Sequence, residues 1–192
     1  HNRALVQRAW AALPKAFGTL PKEAPLVRQI ETFRENESPA AYYYPAADDG
    51  ARPAYYYVNS CAPTTRPLYN MEALAYHEAV PGHHLQIALA QQLTELPEVL
   101  RHADFTAFVE GWGLYGEWLA DELGLYSSAR TRFGMYNYQA WRAARLVVDT
   151  GMHALGWTRE QAIAYMKAHV ALPESEIVNE VERLSAHAPS PP

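Results

Sequence analysis

Cysteine is almost absent from the sequence, which has Cys61 alone among its 192 residues. A single cysteine excludes a disulfide framework within the chain, and it indicates little about the cellular compartment. We interpret Cys61 as a small residue of a loop.

Long apolar runs and basic blocks are absent as well. No stretch approaches the roughly 18 apolar residues that a transmembrane helix requires, so we expect no membrane span. The 16 lysine and arginine residues are outnumbered by 21 acidic residues, which gives a net charge of -5. Without a basic block, neither a nucleic-acid partner nor an anionic membrane surface is expected.

Hydrophobic residues make up 49% of the chain, enough for a sizeable core. Their spacing predicts a mainly α fold with a small β-hairpin or sheet. Helices are predicted near residues 3–17, 69–93, 104–123, 129–155, 158–169 and 173–183, and extended segments near residues 26–33, 41–44 and 54–59. We expect a single domain over residues 1–185 and a disordered, proline-rich tail over residues 186–192.

Potential metal ligands are concentrated in the segment His77-Glu78-Ala79-Val80-Pro81-Gly82-His83-His84. A zinc hydrolase needs two or three imidazole or carboxylate ligands, one open coordination position for water, and a carboxylate that takes the proton of that water. His77 together with His83 or His84 supplies ligands, and Glu78 supplies the general base. This segment therefore predicts a zinc site.

The spacing of these histidines differs from His-Glu-x-x-His, in which the two rings lie four residues apart on one helical face. On a straight helix His83 would point about 240° away from His77, and His84 would lie about 10.5 Å farther along the axis. Pro81 and Gly82 predict a bulge or kink that brings one of the two rings to the metal. The spacing does not decide between His83 and His84.

A third ligand is predicted on the next long helix, in Phe108-Val109-Glu110-Gly111-Trp112-Gly113-Leu114-Tyr115-Gly116-Glu117. Glu110 is the candidate, because a helix, a turn and an antiparallel helix fit between it and the histidines. Glu117 lies two helical turns later on nearly the same face, where its carboxylate can orient a ligand imidazole. The apolar stripe of this helix, formed by Phe105, Phe108, Trp112, Tyr115 and Leu119, is predicted to be core.

The helix predicted over residues 129–155 carries a polar stripe of Arg142, Arg145, Asp149 and His153. Asp149 can hold the His153 imidazole so that it donates to a developing oxyanion. Arg142 and Arg145 can bind a substrate carboxylate through their planar guanidinium groups. The alternatives are a solvated helix face for the stripe, and a structural salt bridge to Glu117 or Asp149 for the arginines.

The tyrosines at positions 55–57 alternate across the predicted sheet, so that one or two phenols face the same side. A strand edge beside a metal can bind a substrate backbone by strand addition, and Tyr57 is the candidate substrate-binding residue. The alternative is that each tyrosine is only a half-buried strand residue.

Three segments resemble a bacterial family known as domain of unknown function 885: HEAVPGHHLQ, FVEGWGLYGEWLADELGLY and WRAARLVVDTGMHALGWTREQAIAYM. The resemblance extends over residues 13–184, with these motifs in the family's order. That family looks like a distant relative of the helical zinc metallopeptidases of the gluzincin group, which have a His-Glu motif and a downstream glutamate ligand.

The resemblance implies a zincin-like catalytic lobe, similar to thimet oligopeptidase and neurolysin, with one zinc ion per chain. It also implies a helical N-terminal region as the partner that completes the cleft. Frequent export or lipoprotein signals in the family suggest an extracytoplasmic location. Residues 184–187 depart from the tyrosine and Pro-Gly-Gln-Ala segment usual at the family's C-terminal end.

These observations predict a zinc-dependent peptidase of the oligopeptidase, carboxypeptidase or dipeptidase type, acting on a peptide or a small amide. Two other classes are open. The chain is alternatively a catalytically silent binding module that keeps the fold, or a metal-dependent hydrolase of non-peptide amides or esters.

Overall fold

The computed structural model describes residues 1–36, 38–61 and 63–186. The described helices are α1 (Asn2–Ala12), α2 (Met71–Glu78), α3 (His83–Gln92), α4 (Glu98–Arg101), α5 (Thr106–Glu122), α6 (Ala129–Leu155), α7 (Arg159–His169) and α8 (Glu174–Ala186). The predicted mainly helical class with a small sheet is confirmed. None of the helices in these ranges combines the length and the apolarity that a bilayer crossing needs. Apart from Ala186 at the end of α8, the predicted tail lies outside the described residues.

The sheet consists of three short strands, β1 (Leu26–Gln29), β2 (Ala41–Tyr44) and β3 (Tyr55–Val58). Their order is β1-β3-β2, with β1 parallel to β3 and β2 antiparallel to it. Buried Ala41 and Tyr56 belong to the face that joins the core, whereas Tyr44 is exposed. The strand β2 is thus an edge strand of a mixed sheet.

The chain divides into two compact units, residues 1–135 and residues 136–192, at a boundary inside α6. In unit 1 the core joins α1, the sheet, α2 and α5, and its largest buried side chains include Tyr56, Tyr76 and Leu85. In unit 2 the core joins α6, α7 and α8 through residues such as Val148 and Met166. A capping box of Thr158 and Gln161 begins α7.

The histidine motif spans two helices rather than one helix with a bulge. The helix α2 ends at Glu78 and α3 begins at His83, and the intervening residues include a cis Val80–Pro81 bond. A Cβ atom on Gly82 would lie 1.8 Å from the His77 carbonyl oxygen, so only glycine fits this crossing. The prediction of a local irregularity at Pro81 and Gly82 was correct, but the helix ends there and a second helix begins, rather than one helix continuing through a bulge.

The apolar stripe of α5 is core only in part: Leu119 is buried and Trp112 packs against the core of unit 1, whereas Phe105, Phe108 and Tyr115 are exposed. The exposed fractions are 67% for Phe105, 57% for Phe108 and 46% for Tyr115. The buried face of α5 also contains Gly113, Gly116 and Glu117. A Cβ atom on Gly116 would lie 2.9 Å from the Gly82 Cα atom, which shows how closely α5 approaches the motif. Glycines allow this approach, while Phe105, Phe108 and Tyr115 lie on the outer side of the helix.

A buried polar network anchors α2. Glu72 is 1% exposed, and its carboxylate accepts the Ser127 N–H at 2.8 Å and lies 3.3 Å from the Arg8 guanidinium. Arg8 also donates to the Tyr76 hydroxyl at 2.6 Å. Burial alone would raise the pKa of Glu72, but the hydrogen bonds from Ser127 and the charge of Arg8 lower it overall. The ionised carboxylate is therefore the stabilising form.

Glu72→Gln is expected to reduce the free energy of unfolding at pH 7 by about 2 kcal/mol, since a buried charge-assisted hydrogen-bond network is lost. Because the folded-state pKa is lowered, the contribution of Glu72 is present above the unfolded-state pKa, near 4.3, and is lost as the pH falls through the folded-state value. Urea unfolding at pH 7 and at pH 3 measures this difference. Glu31→Gln, on an exposed ion pair, is the control. If the difference in free energy of unfolding between wild type and Glu72→Gln is the same at pH 7 and at pH 3, the prediction is wrong.

Candidate metal centre

Three potential ligands meet where α2, α3 and α5 converge in unit 1. They are His77 at the end of α2, His83 at the start of α3, and Glu110 on α5. Their ligand atoms all lie within 4.8 Å of one another. The His77 Nε2 atom is 3.5 Å from Glu110 Oε2, and the His83 Nε2 atom is 3.8 Å from Glu110 Oε1. Because the chain turns between α2 and α3, two rings six positions apart face the same carboxylate.

The donor set fits a zinc ion. Two imidazoles and one carboxylate are the ligand types of catalytic zinc sites, which keep a fourth position open. Ligand atoms bonded at about 2.1 Å in a tetrahedron lie about 3.4 Å apart, close to the separations between Glu110 and the two rings. The histidines are buried, whereas the Glu110 side chain is 59% exposed, so the cluster is accessible from solvent on the side of α5.

Glu117 orients the His77 ring from behind. It is fully buried, and its Oε1 atom accepts the His77 Nδ1–H at 2.8 Å, which leaves Nε2 directed toward Glu110. Burial alone would lower the pKa of His77, but the hydrogen bonds to Glu110 and Glu117 outweigh it and raise this pKa to about 9. A ligand imidazole that donates its other N–H to a carboxylate is typical of zinc sites. Binding of a metal at Nε2 would displace a proton from this ring.

His84 is engaged elsewhere. Its Nε2–H donates to the Glu23 carbonyl at 2.9 Å, and its Nδ1 atom accepts from the Tyr43 hydroxyl at 3.1 Å. Burial lowers the pKa of His84 to about 4, so that its ring is neutral. The structure therefore groups His83, and not His84, with His77 and Glu110.

Glu78, the predicted base, lies at the last position of α2 beside the edge of the sheet. Its Oε2 atom accepts the backbone N–H of Tyr43 on β2 at 2.9 Å. This hydrogen bond joins the metal-binding motif to the edge strand.

Tyr57 lies on the sheet face opposite to Tyr43. Its ring stacks on Tyr42, at 4.9 Å between centroids, and contacts Tyr55 at 5.4 Å. Because side chains alternate along a strand, Tyr43 and its cross-strand partner Tyr56 point to the other side. The role of Tyr57 in substrate binding stays a prediction.

In unit 2, the His153 Nε2–H donates to the Leu184 carbonyl at 3.2 Å, and the same nitrogen is 3.6 Å from Asp149 Oδ1. The second separation is too long for a hydrogen bond, so the main contact of His153 is with the backbone of α8. The roles of His153 and Asp149 in catalysis stay predictions.

The two arginines of α6 have different surroundings within unit 2. The Arg145 Nε atom is 2.9 Å from Glu180 Oε1. The Arg142 guanidinium lies over the Tyr138 ring, 5.7 Å from its centroid. Substrate binding by Arg142 and Arg145 stays a prediction.

Two residues beside the centre were not identified from the sequence, namely Tyr43 and Gly113. A Cβ atom on Gly113 would lie 2.5 Å from the His77 ring, so this glycine makes room for the imidazole. The sequence did contain a signal for Gly113, namely a glycine inside a predicted helix. Such a glycine costs about 1 kcal/mol relative to alanine and usually has a packing reason. Nothing in the sequence pairs Tyr43 with Glu78.

A model of a bacterial protein family of unknown function, DUF885, matches residues 1–190. The chain is also similar to a crystal structure described as "the putative lipoprotein from Colwellia psychrerythraea". The two are 38% identical, with a TM-score of 0.91 over 96% of this chain and 32% of that one. The chain therefore spans about a third of the length of that structure. No curated protein matches it.

Proposed function

The chain belongs to the bacterial DUF885 family, and from its cluster of two histidines and a glutamate we propose that it is the metal-binding portion of a zinc-dependent peptidase. The observation that carries the proposal is the meeting of His77, His83 and Glu110. Two further carboxylates support it, because Glu117 orients a ligand ring and Glu78 lies next to a ligand in the sequence. The finer fold assignment that we propose is a zincin-like, thimet- or neurolysin-like lobe.

In the proposed mechanism His77, His83 and Glu110 would hold one zinc ion. When bound, the ion supplies a Lewis acid that lowers the pKa of water and polarises a carbonyl. Glu78 accepts a proton as the water oxygen bonds to the peptide carbonyl carbon, and it returns that proton to the amine as the C–N bond breaks. The Tyr43 N–H holds the Glu78 carboxylate in place.

A second candidate function has support from the comparison of lengths. The Colwellia chain is about three times as long as the part matched here, which leaves room for a further region that completes a cleft. Under this alternative the chain is a module that binds metal and is silent by itself. A hydrolase of non-peptide amides or esters would use the same residues, and a substrate screen separates it from a peptidase. We further propose an extracytoplasmic location, on the description of the Colwellia protein as a lipoprotein.

The test of the proposal is metal content measured together with peptide cleavage. Purified, zinc-loaded chain is expected to hold about one zinc ion and to cleave a mixed peptide library, with the cleavage abolished by a chelator and restored by zinc. His83→Ala is expected to lose both the zinc and the cleavage, because a ligand is removed. His102→Ala is the matched control, since His102 lies outside the cluster, with its Nε2 atom 2.8 Å from Asp48 Oδ2.

Zinc content without cleavage would favour the silent module. Absence of zinc, or a His83→Ala variant that keeps it, would contradict the metal centre itself.

A further inference from the structure

Both ring nitrogens of His84 are committed to hydrogen bonds, and their directions fix its tautomer. The Glu23 carbonyl oxygen can only accept, so the proton lies on Nε2, and the Nδ1 lone pair accepts from the Tyr43 hydroxyl. His84 is 2% exposed, so water cannot readily replace either partner. A ring with one protonated nitrogen and one engaged lone pair has no lone pair left for a metal.

Tyr43 connects the two sides of the interrupted motif. Its hydroxyl donates to His84 at the start of α3, and its backbone N–H donates to Glu78 at the end of α2. The strand β2 pairs with β3 along one side only, through Tyr43 and Tyr56 among others. On the other edge of β2, the Tyr43 N–H donates to Glu78, and the Tyr43 side chain contacts His84. These two hydrogen bonds connect the strand to the helices α2 and α3.

We propose that His84 is a positioning residue, which holds Tyr43 and thereby fixes the strand edge whose N–H orients the Glu78 carboxylate. Neighbouring residues on a helix point about 100° apart, so His83 and His84 are directed to different targets. His83 lies in the metal cluster, and His84 lies against the sheet. The effect of His84 on catalysis rests on the proposed function. The link from His84 through Tyr43 to Glu78 does not, and it is tested separately.

The link is tested first by hydrogen exchange of the Tyr43 amide, followed by NMR on the whole 192-residue chain. His84→Leu removes both hydrogen bonds, and Tyr43→Phe removes the hydroxyl. Each is expected to speed the exchange of this amide about tenfold, the effect of weakening one buried hydrogen bond. Tyr44→Phe is the matched control on the same strand, because Tyr44 lies on the exposed face. His84→Gln, which keeps one donor and one acceptor, is expected to restore much of the protection.

Zinc content distinguishes positioning from ligation. His84→Leu and His84→Gln are expected to hold as much zinc as the wild type. A loss of zinc in His84→Gln, or Tyr43 exchange that is unchanged in both His84→Leu and Tyr43→Phe, would overturn the proposal. If His84→Leu does not fold, the Gln and Tyr43→Phe variants still decide it.

Where the chain cleaves peptides, kinetics supply a further readout. Tyr43→Phe and His84→Leu are each expected to lower kcat about tenfold with KM little changed, since they disturb the base rather than substrate binding. The double variant should be no slower than either single variant, because both act through one hydrogen bond. Additive losses would contradict the link. A chain without Glu78-dependent cleavage would refute the proposed function, whereas the exchange and zinc measurements would still decide the role of His84.

Discussion

Glu78→Gln is expected to lower kcat for peptide cleavage by about 1000-fold, while the zinc content stays at that of the wild type. The amide oxygen of glutamine can still accept the Tyr43 N–H, so the local structure is preserved. What glutamine lacks is the ability to take a proton from water and to return it to the leaving amine. The variant therefore removes proton transfer and little else.

The matched comparison is Glu110→Gln, which makes the same chemical change on α5. An amide is a weaker ligand than a carboxylate, so this variant is expected to lose zinc as well as activity. Elemental analysis and kcat are measured on both variants, with the wild type alongside. If Glu78→Gln retains more than a tenth of the wild-type kcat, Glu78 is not the base. If Glu110→Gln keeps zinc at full occupancy, Glu110 is not a required ligand.

Much of the candidate site could be predicted because ligand chemistry is local in the sequence. His77, Glu78 and a third carboxylate at Glu110 are recognisable from residue type and order alone. The placement of Glu117 also followed from helix geometry, since seven residues are close to two full turns. The distance from Glu117 to the His77 ring agrees with that reasoning.

The choice between His83 and His84 could not be made in the same way. It depends on the backbone path through residues 79–82, and on Tyr43 and Glu23, which are distant in sequence. Hydrophobic spacing was correct only in part on α5, because it finds an apolar stripe but not how much of that stripe packs. There Leu119 is buried and Gly113 and Gly116 allow close helix contact, while Phe105, Phe108 and Tyr115 stay exposed.

Gly113→Ala is expected to weaken zinc binding by about 100-fold or more, the upper range for changes that disturb a ligand's surroundings. The new methyl group would lie 2.5 Å from the His77 Cε1 atom and 2.8 Å from Nε2. These separations are shorter than any tolerable contact, so the ring must move. It cannot move far and keep both its bond to Glu117 and its direction toward Glu110. Overpacking of this kind also costs about 1–3 kcal/mol in the free energy of unfolding.

Gly111→Ala is the control, because it adds the same methyl group two positions earlier on α5, where no atom lies within 4 Å. Both substitutions improve helix propensity by about 1 kcal/mol, so that gain cancels in the comparison. Gly111→Ala should bind zinc like the wild type and unfold at higher urea concentration, whereas Gly113→Ala should bind weakly in competition with a chelating dye. Equal affinities in the two variants would mean that the His77 ring does not occupy this position in the zinc-bound protein. A loss confined to Gly113→Ala would instead connect zinc affinity to one contact between α5 and the His77 imidazole.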